Sequence, residues 1–295
     1  MNREANPVVL SESSYVALEE KSSGADAGLV QVNDDESRAG LLIINADDWG
    51  LDRETTDRIF QPALRKTVSS VSAMVFMEDS ERAAAMARES GIDAGLHLNF
   101  TTPFSASNCP ARLAERQQKI TACLRRHSFG QVVFHPRLVR SFQYVVEAQL
   151  EEFRRLYAAA PERIDGHHHM HLCSNVVFGG LLPPGVVVRR NFSFLPGEKS
   201  PWNRFYRKIV DSALAKRHRM ADYFFSLPPL APRSRLERIF SLANACTVEV
   251  ETHPARSDEY SFLMGDEIFR LAENVKVARR YAIHSSVHRG KSGRS

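Results

Sequence analysis

Four histidines fall within five consecutive positions of IDGHHHMHL, residues 164–172, in a chain that holds 11 in all. Imidazole ligates borderline divalent metals and carries protons near neutral pH. Read as a β-strand, the segment places Asp165, His167, His169 and His171 on one face, with Ile164, Gly166, His168, Met170 and Leu172 on the other. One face is then a column of ligand-type side chains. Burying that many imidazoles without polar partners is costly, so the column points to metal or proton chemistry rather than to core packing.

Three other short stretches carry the same kind of residue. Asp47 and Asp48 close LLIINADDWG, His97 and Asn99 lie in GLHLN, and Glu251 and His253 lie in VETHP. Each alone has an ordinary reading: paired aspartates after a strand serve as turn formers and helix caps, and a lone histidine is often a satisfied core residue. Each stretch, however, ends an apolar run. If those runs are parallel strands, their carboxyl ends share one rim and residues far apart in sequence converge there. Asp, His and His meeting at one point outline a divalent-metal site.

The elements that must do the positioning are legible from residue 41 onward. LLIINADDWG reads as a buried parallel strand, followed by a helix in DRETTDRIFQPALRKT, strand SVSAMVFM, a helix near DSERAAAMARES capped by Asp79 or Ser80, and strand AGLHLNF. Residues 101–135 read as irregular, punctuated by Pro103, Pro110 and Pro136. A long helix in RSFQYVVEAQLEEFRRLYAAAP precedes the histidine strand, GVVVRRNF is a fifth strand, and CTVEVETHPA a later one that stops at Pro254. Strands alternating with helices over about 245 residues predict an α/β fold, a distorted TIM-like (β/α) barrel with loop insertions, over 41–285. No repeat in the 20–50-residue range divides it.

Composition narrows the function. The chain has 295 residues, 43% apolar and 25% charged, with net charge +4; residues 1–40 hold eight acids against three bases. That polar stretch predicts a disordered extension, and 286–295 a flexible tail. The remaining positive charge is too thin for a nucleic-acid stripe, so no nucleic-acid partner is expected. The densest basic run, 204–219, contains Arg204, Arg207, Lys208, Lys216, Arg217 and Arg219; it reads as a solvated helix face or as an attractor for phosphate or anionic substrate. Cys109, Cys123, Cys173 and Cys246 are scattered without a C-x-x-C pair, which predicts a reducing compartment. With no run of 18 apolar residues and no signal-peptide pattern, no membrane span is expected and the predicted location is cytoplasmic.

Together, NADDWG at 45–50, GLHLN at 95–99, the D-x-H-H-H-x-H block at 165–171 and the HP pair at 253–254 resemble the YdjC-like, or ChbG-like, carbohydrate deacetylases, a family that includes a hopanoid-biosynthesis group. The likeness covers roughly residues 41–275. It implies a metal-dependent hydrolase that removes an N-acetyl group from an amino sugar or oligosaccharide and releases acetate. It also implies that Asp48, His97 and His167 hold one divalent metal, that Asp47 is the general base, and that His253 is the acid or an orienting group. Asp165 and His169 would fix a ring tautomer, and Arg189 would sit beside the site. A nitrogen- and carboxylate-bearing site suits Zn²⁺, Mn²⁺ or Co²⁺, and the resemblance also admits Mg²⁺. The implied partner is a small N-acetylated sugar; the oligomeric state is open, a homodimer being one option. Two rivals remain: another metal-dependent barrel hydrolase, such as a phosphoesterase or amidohydrolase, and a metal-storing or pH-sensing binding protein. Amidohydrolases usually carry H-x-H on the first strand, where this chain has Asp-Asp, and storage has no use for Asp47 beside a ligand.

Overall fold

The computed structural model describes residues 40–126, 130–193, 201–281 and 283. The extension expected at 1–40, apart from Gly40, and the tail expected at 286–295 lie outside them. In chain order the elements are β1 (Leu41–Trp49), α1 (Arg53–Leu64), β2 (Ser70–Ala73), α2 (Ser80–Ser90), β3 (Ala94–Leu98), α3 (Ala111–Arg126), α4 (Val139–Tyr157) and β4 (Arg163–Gly166). There follow α5 (Ser174–Val177), β5 (Val187–Val188), α6 (Pro201–Ala215), β6 (Tyr223–Ser226), α7 (Arg233–Leu242), β7 (Thr247–Thr252), α8 (Ser257–Met264) and α9 (Glu267–Ala272).

All seven strands are parallel, in the order β5-β4-β3-β2-β1-β7-β6. The sheet curls until its two edges approach: Val187 bridges Arg219, and the Ser193 amide donates to the Phe224 carbonyl at 2.7 Å. The fold is thus a distorted (β/α) barrel, as the alternation of elements predicts. Period-2 alternation sorts each strand. Leu42, Ile44 and Ala46 of β1, Leu96 and Leu98 of β3, and Val248 and Val250 of β7 belong to the apolar core. The opposite faces carry Asn45 and Asp47, Ser70 and Ser72, His97, Arg163 and Asp165, and Glu249 and Glu251, all buried. The barrel interior is therefore ionic and its outer wall apolar.

Two expectations need correction, and one strand left no reading in the sequence. The stretch 101–135 contains α3, whose buried Leu113, Gln117, Ile120 and Leu124 form one helical stripe; the prolines at 103, 110 and 136 mark the ends of this insertion and leave its middle free to coil. Strand β6, in ADYFFSL, is four residues long and runs into prolines, so it left almost no periodic signal. Finally, IDGHHHMHL is a strand only as far as Gly166. His167–Leu172 is a 3₁₀ segment in which His168 and His169 have φ of 53° and 57°. Two successive left-handed residues break the alternation, so the expected column of histidines does not form.

Candidate metal centre

β1 brings two adjacent aspartates to one rim by breaking its own rule. Alternation turns Asn45 and Asp47 inward, and Asn45 Nδ2 donates to Asp47 Oδ1 at 2.8 Å. A regular strand would then send Asp48 outward. Instead its φ is 71° and the β1–β2 register shifts between Ala46 and Trp49, a bulge that re-aims the side chain along the rim. The ordinary helix-cap reading of NADDWG fails, because the α1 cap is Asp52, which accepts from the Thr55 amide at 2.7 Å.

Asp48, His97 and His167 converge, each offering a ligand atom within 4.8 Å of the others. Asp48 Oδ1 lies 2.8 Å from His167 Nδ1 and 3.4 Å from His97 Nε2. Two imidazole nitrogens and one carboxylate oxygen aimed at one point suit a borderline divalent cation, and the donor chemistry fits. His97 is aimed from behind: it is the register partner of Asp165 across β3 and β4, and its Nδ1 sits 2.7 Å from Asp165 Oδ1, which leaves Nε2 facing Asp48. Burial pulls the His97 pKa down, but Asp47 and Asp165 overcome it and hold it at about 10. A cation binding there would take that proton's place. Burial raises the Asp48 carboxyl, and the hydrogen bonds from His167 and His97 more than reverse this, leaving it well below the ordinary range.

Asp47 has a different environment. Arg189, fully buried, grips it with Nη1 on Oδ2 at 2.6 Å and Nη2 on Oδ1 at 2.8 Å. A carboxylate has about four lone-pair sites. Arg189 takes one on each oxygen and Asn45 a second on Oδ1, so one remains on Oδ2, the oxygen 4.0 Å from His97 Nε2. Burial raises the Asp47 pKa, but Arg189 and then His97 outweigh it and the group stays ionised. Arg189 also reaches Asp165 Oδ2 at 3.1 Å, Glu249 Oε1 at 2.7 Å and Glu251 Oε2 at 3.4 Å, and lies over the Phe224 ring at 4.9 Å. It is the hub of the site rather than a neighbour of it.

Asp165 is further held by Ser72 Oγ at 2.5 Å and Arg163 Nη1 at 3.1 Å. The glycine of GLHLN makes room for that arginine: a Cβ on Gly95 would come within 2.6 Å of Arg163 Cζ. Arg163 cannot step aside, since Nη2 is also bonded to the Val71 carbonyl at 2.8 Å. Gly95→Ala is therefore expected to destabilise the protein by about 1–3 kcal/mol, read by denaturant unfolding. A change smaller than the error of that measurement would show that Arg163 is not fixed there.

The remaining expected residues separate. His253 follows β7, where Thr252 is in register with Ala46; it stands at the level of Asp47, with its amide on Glu259 Oε2 at 2.7 Å. His169 does not touch the triad: its Nε2 is 3.6 Å from Glu251 Oε2 and its ring packs on Phe192 and Phe224. His168 pairs with Thr101 Oγ1 at 2.9 Å, and His171 with the Arg189 carbonyl at 3.0 Å. Asn99 is a turn former, accepting from the Thr101 and Thr102 amides at 3.1 and 3.0 Å. Sequence reasoning missed Asn45, Ser72, Arg163 and Glu249; a polar side chain at every second position of SVSA, RIDG and VEVET was the available signal. Of the basic run, Arg204, Arg207 and Lys208 line a cavity of about 370 Å³ with Arg190, Phe192 and Asp211, and none of Asp48, His97 or His167 is among its described lining residues.

Residues 41–281 match the sequence profile of the family described as YdjC-like protein. A carbohydrate deacetylase of Mus musculus is 32% identical over 168 residues, 54% of this chain and 51% of that protein. A chitooligosaccharide deacetylase of Serratia marcescens is 31% identical over 136 residues, 45% of this chain and 51% of that protein. The matched stretch thus spans about half the length of these curated relatives. A crystal structure of an Enterococcus faecalis V583 protein named for cellobiose-phosphate cleavage superposes with a TM-score of 0.57 at 17% identity, covering 81% of this chain and 97% of that one, a likeness of fold. Among the described residues no helix is long and apolar enough to cross a membrane.

Proposed function

Because this chain belongs to the YdjC-like protein family, we propose that it hydrolyses the N-acetyl group of an amino sugar or oligosaccharide, using one divalent cation held by Asp48, His97 and His167. The observation that carries the reading is the shared focus of those three side chains beside an ionised carboxylate, Asp47, with one lone pair free. A cation in that triad would supply Lewis acidity, polarising the acetyl carbonyl and acidifying a water. Asp47 takes the proton of the attacking water on Oδ2; the guanidinium of Arg189 and the amide of Asn45 keep that oxygen aimed and charged. As the amide C–N bond breaks, acetate departs and the sugar nitrogen needs a proton, which His253 on the same rim delivers, or orients a water to deliver. Zn²⁺, Mn²⁺ and Co²⁺ suit two nitrogens and a carboxylate, and family membership adds Mg²⁺.

Arg204, Arg207 and Lys208 of the basic run line a cavity whose described lining residues include none of Asp48, His97 and His167, which weighs against a phosphoester substrate. The deciding experiment measures acetate and free amine released from a panel of N-acetylated mono- and oligosaccharides, with a phosphomonoester as the control. Release is expected to stop after chelation and to return with a divalent ion. Full activity in metal-stripped protein, or hydrolysis of the phosphoester alone, would overturn the proposal.

A further inference from the structure

The segment after α9 packs across the start of β1, at the end of the barrel opposite the triad. Lys276 and Ala278 bond the backbone of Leu42 at 2.9 and 2.7 Å, and Ala278 and Tyr281 pack on Leu41 and Ile43 at the start of β1. The Tyr281 amide is tied to Asp93 Oδ2 at 2.9 Å, and its half-buried side chain reaches Glu249 of the ionic interior. There it makes two contacts. Its hydroxyl donates to Glu249 Oε2 at 2.5 Å, and its ring lies 4.5 Å from the Arg163 guanidinium.

Both contacts lead to the site. Glu249 gives its other oxygen to Arg189 Nε at 2.7 Å, and Arg189 holds both oxygens of Asp47. Arg163 holds Asp165, which holds His97. Glu249 stands among Arg189, Arg163, Asp165 and Tyr281 with no water-exposed surface, so each of its oxygens must be satisfied from within. Without the hydroxyl, Glu249 Oε2 would either take a proton or turn towards a guanidinium beside it, that of Arg189 or of Arg163. Either change moves or weakens the group that aims Asp47.

We infer that Tyr281 is a positioning residue: through Glu249 it fixes Arg189, and through Arg189 it fixes Asp47 at the far end of the barrel. Its significance for turnover rests on the deacetylase reading, whereas its effect on Arg189 does not.

Tyr281→Phe keeps the ring, its packing and its contact with Arg163, and deletes only the hydroxyl. In the full chain loaded with Zn²⁺, kcat on the best sugar of the panel is expected to fall about tenfold, with KM within about twofold of wild type. In a Glu249→Gln background the same change is expected to alter kcat by less than about twofold, because the pair acts as one unit. Independently of any substrate, the Arg189 Nε–H signal in ¹⁵N-arginine-labelled protein is expected to exchange with water about tenfold faster in Tyr281→Phe. An unchanged Arg189 signal overturns the inference, as do additive effects in the double variant or a loss confined to KM. If Tyr281→Phe does not fold, Glu249→Gln alone must show the faster Arg189 exchange and the lowered kcat, and wild-type behaviour there overturns it equally. Should wild type release no acetate from any sugar, the deacetylase reading falls while the Arg189 signal still decides the role of Tyr281.

Discussion

Asp47→Asn is expected to lower turnover by roughly 10²–10⁴-fold, the usual worth of a general base, and to leave bound metal at wild-type stoichiometry. Asp48→Asn is expected to do the reverse: metal affinity falls at least about tenfold, and excess metal restores part of the activity. The two residues are adjacent, yet they touch different groups. Asp48 Oδ1 faces the two histidine nitrogens, whereas both oxygens of Asp47 are committed to Arg189. The substitution at 47 is not electrically silent, because an asparagine amide would present N–H to one of the Arg189 nitrogens. Losing that bond costs about 1–3 kcal/mol of stability, so turnover has to be compared at a temperature where both proteins are folded. Elemental analysis of metal content and the acetate assay give the two readouts. If Asp47→Asn loses the metal and Asp48→Asn keeps it, the roles are exchanged. If both keep metal and activity, the proposed chemistry is wrong.

Arg189→Met is expected to destabilise the fold by about 3–5 kcal/mol, because it strips the counter-charge from a buried acidic cluster. Asp47, Asp165, Glu249 and Glu251 all contact this one guanidinium, which is itself 0% exposed. For a domain of this size the midpoint of thermal unfolding should drop by roughly 10 °C. The pH dependence combines two signs: burial already raises Glu249 and Glu251 in wild type, so their share is lost as pH rises, and Asp47 and Asp165 act the other way. In wild type the lowered Asp47 and Asp165 carboxyls contribute stability that is present above their unfolded value of 3.8 and lost as pH falls through their depressed folded values. Without Arg189 the buried carboxyls rise above their unfolded values, the native state binds the extra protons, and the variant loses stability as pH increases. A calorimetric series from acid to neutral pH measures both effects. A variant with a wild-type midpoint, or one that gains stability with pH, would show that the cluster is neutralised by something other than Arg189.

Much of the fold was legible because strand and helix signals are local. The apolar runs of β1, β3 and β7 end in polar residues within the same few positions, and that is enough to fix Asp47, His97 and the VETHP stretch at strand ends. The parallel barrel followed from the alternation of strands with helices, and one shared rim followed from the barrel. α3 and β6 were lost for equally local reasons: prolines bracket the first, and the second is only four residues long.

By itself the sequence determined which residue types stand at the carboxyl ends of the strands, and hence that aspartates and histidines would meet. It could not determine which of them face one another. That Asp48 reaches the rim depends on a left-handed residue in a bulge, and that His167 alone of its block joins the triad depends on two more left-handed residues after β4. Period-2 alternation predicts the opposite in both places, because the compensating contacts come from other strands. The pairing of Asp47 with Arg189 spans 142 positions, and Glu249 meets Tyr281 across 32. Such contacts exist only once the sheet has curled and set its register. Charge neutralisation inside the barrel is therefore a property of closure, and no window of the sequence contains it.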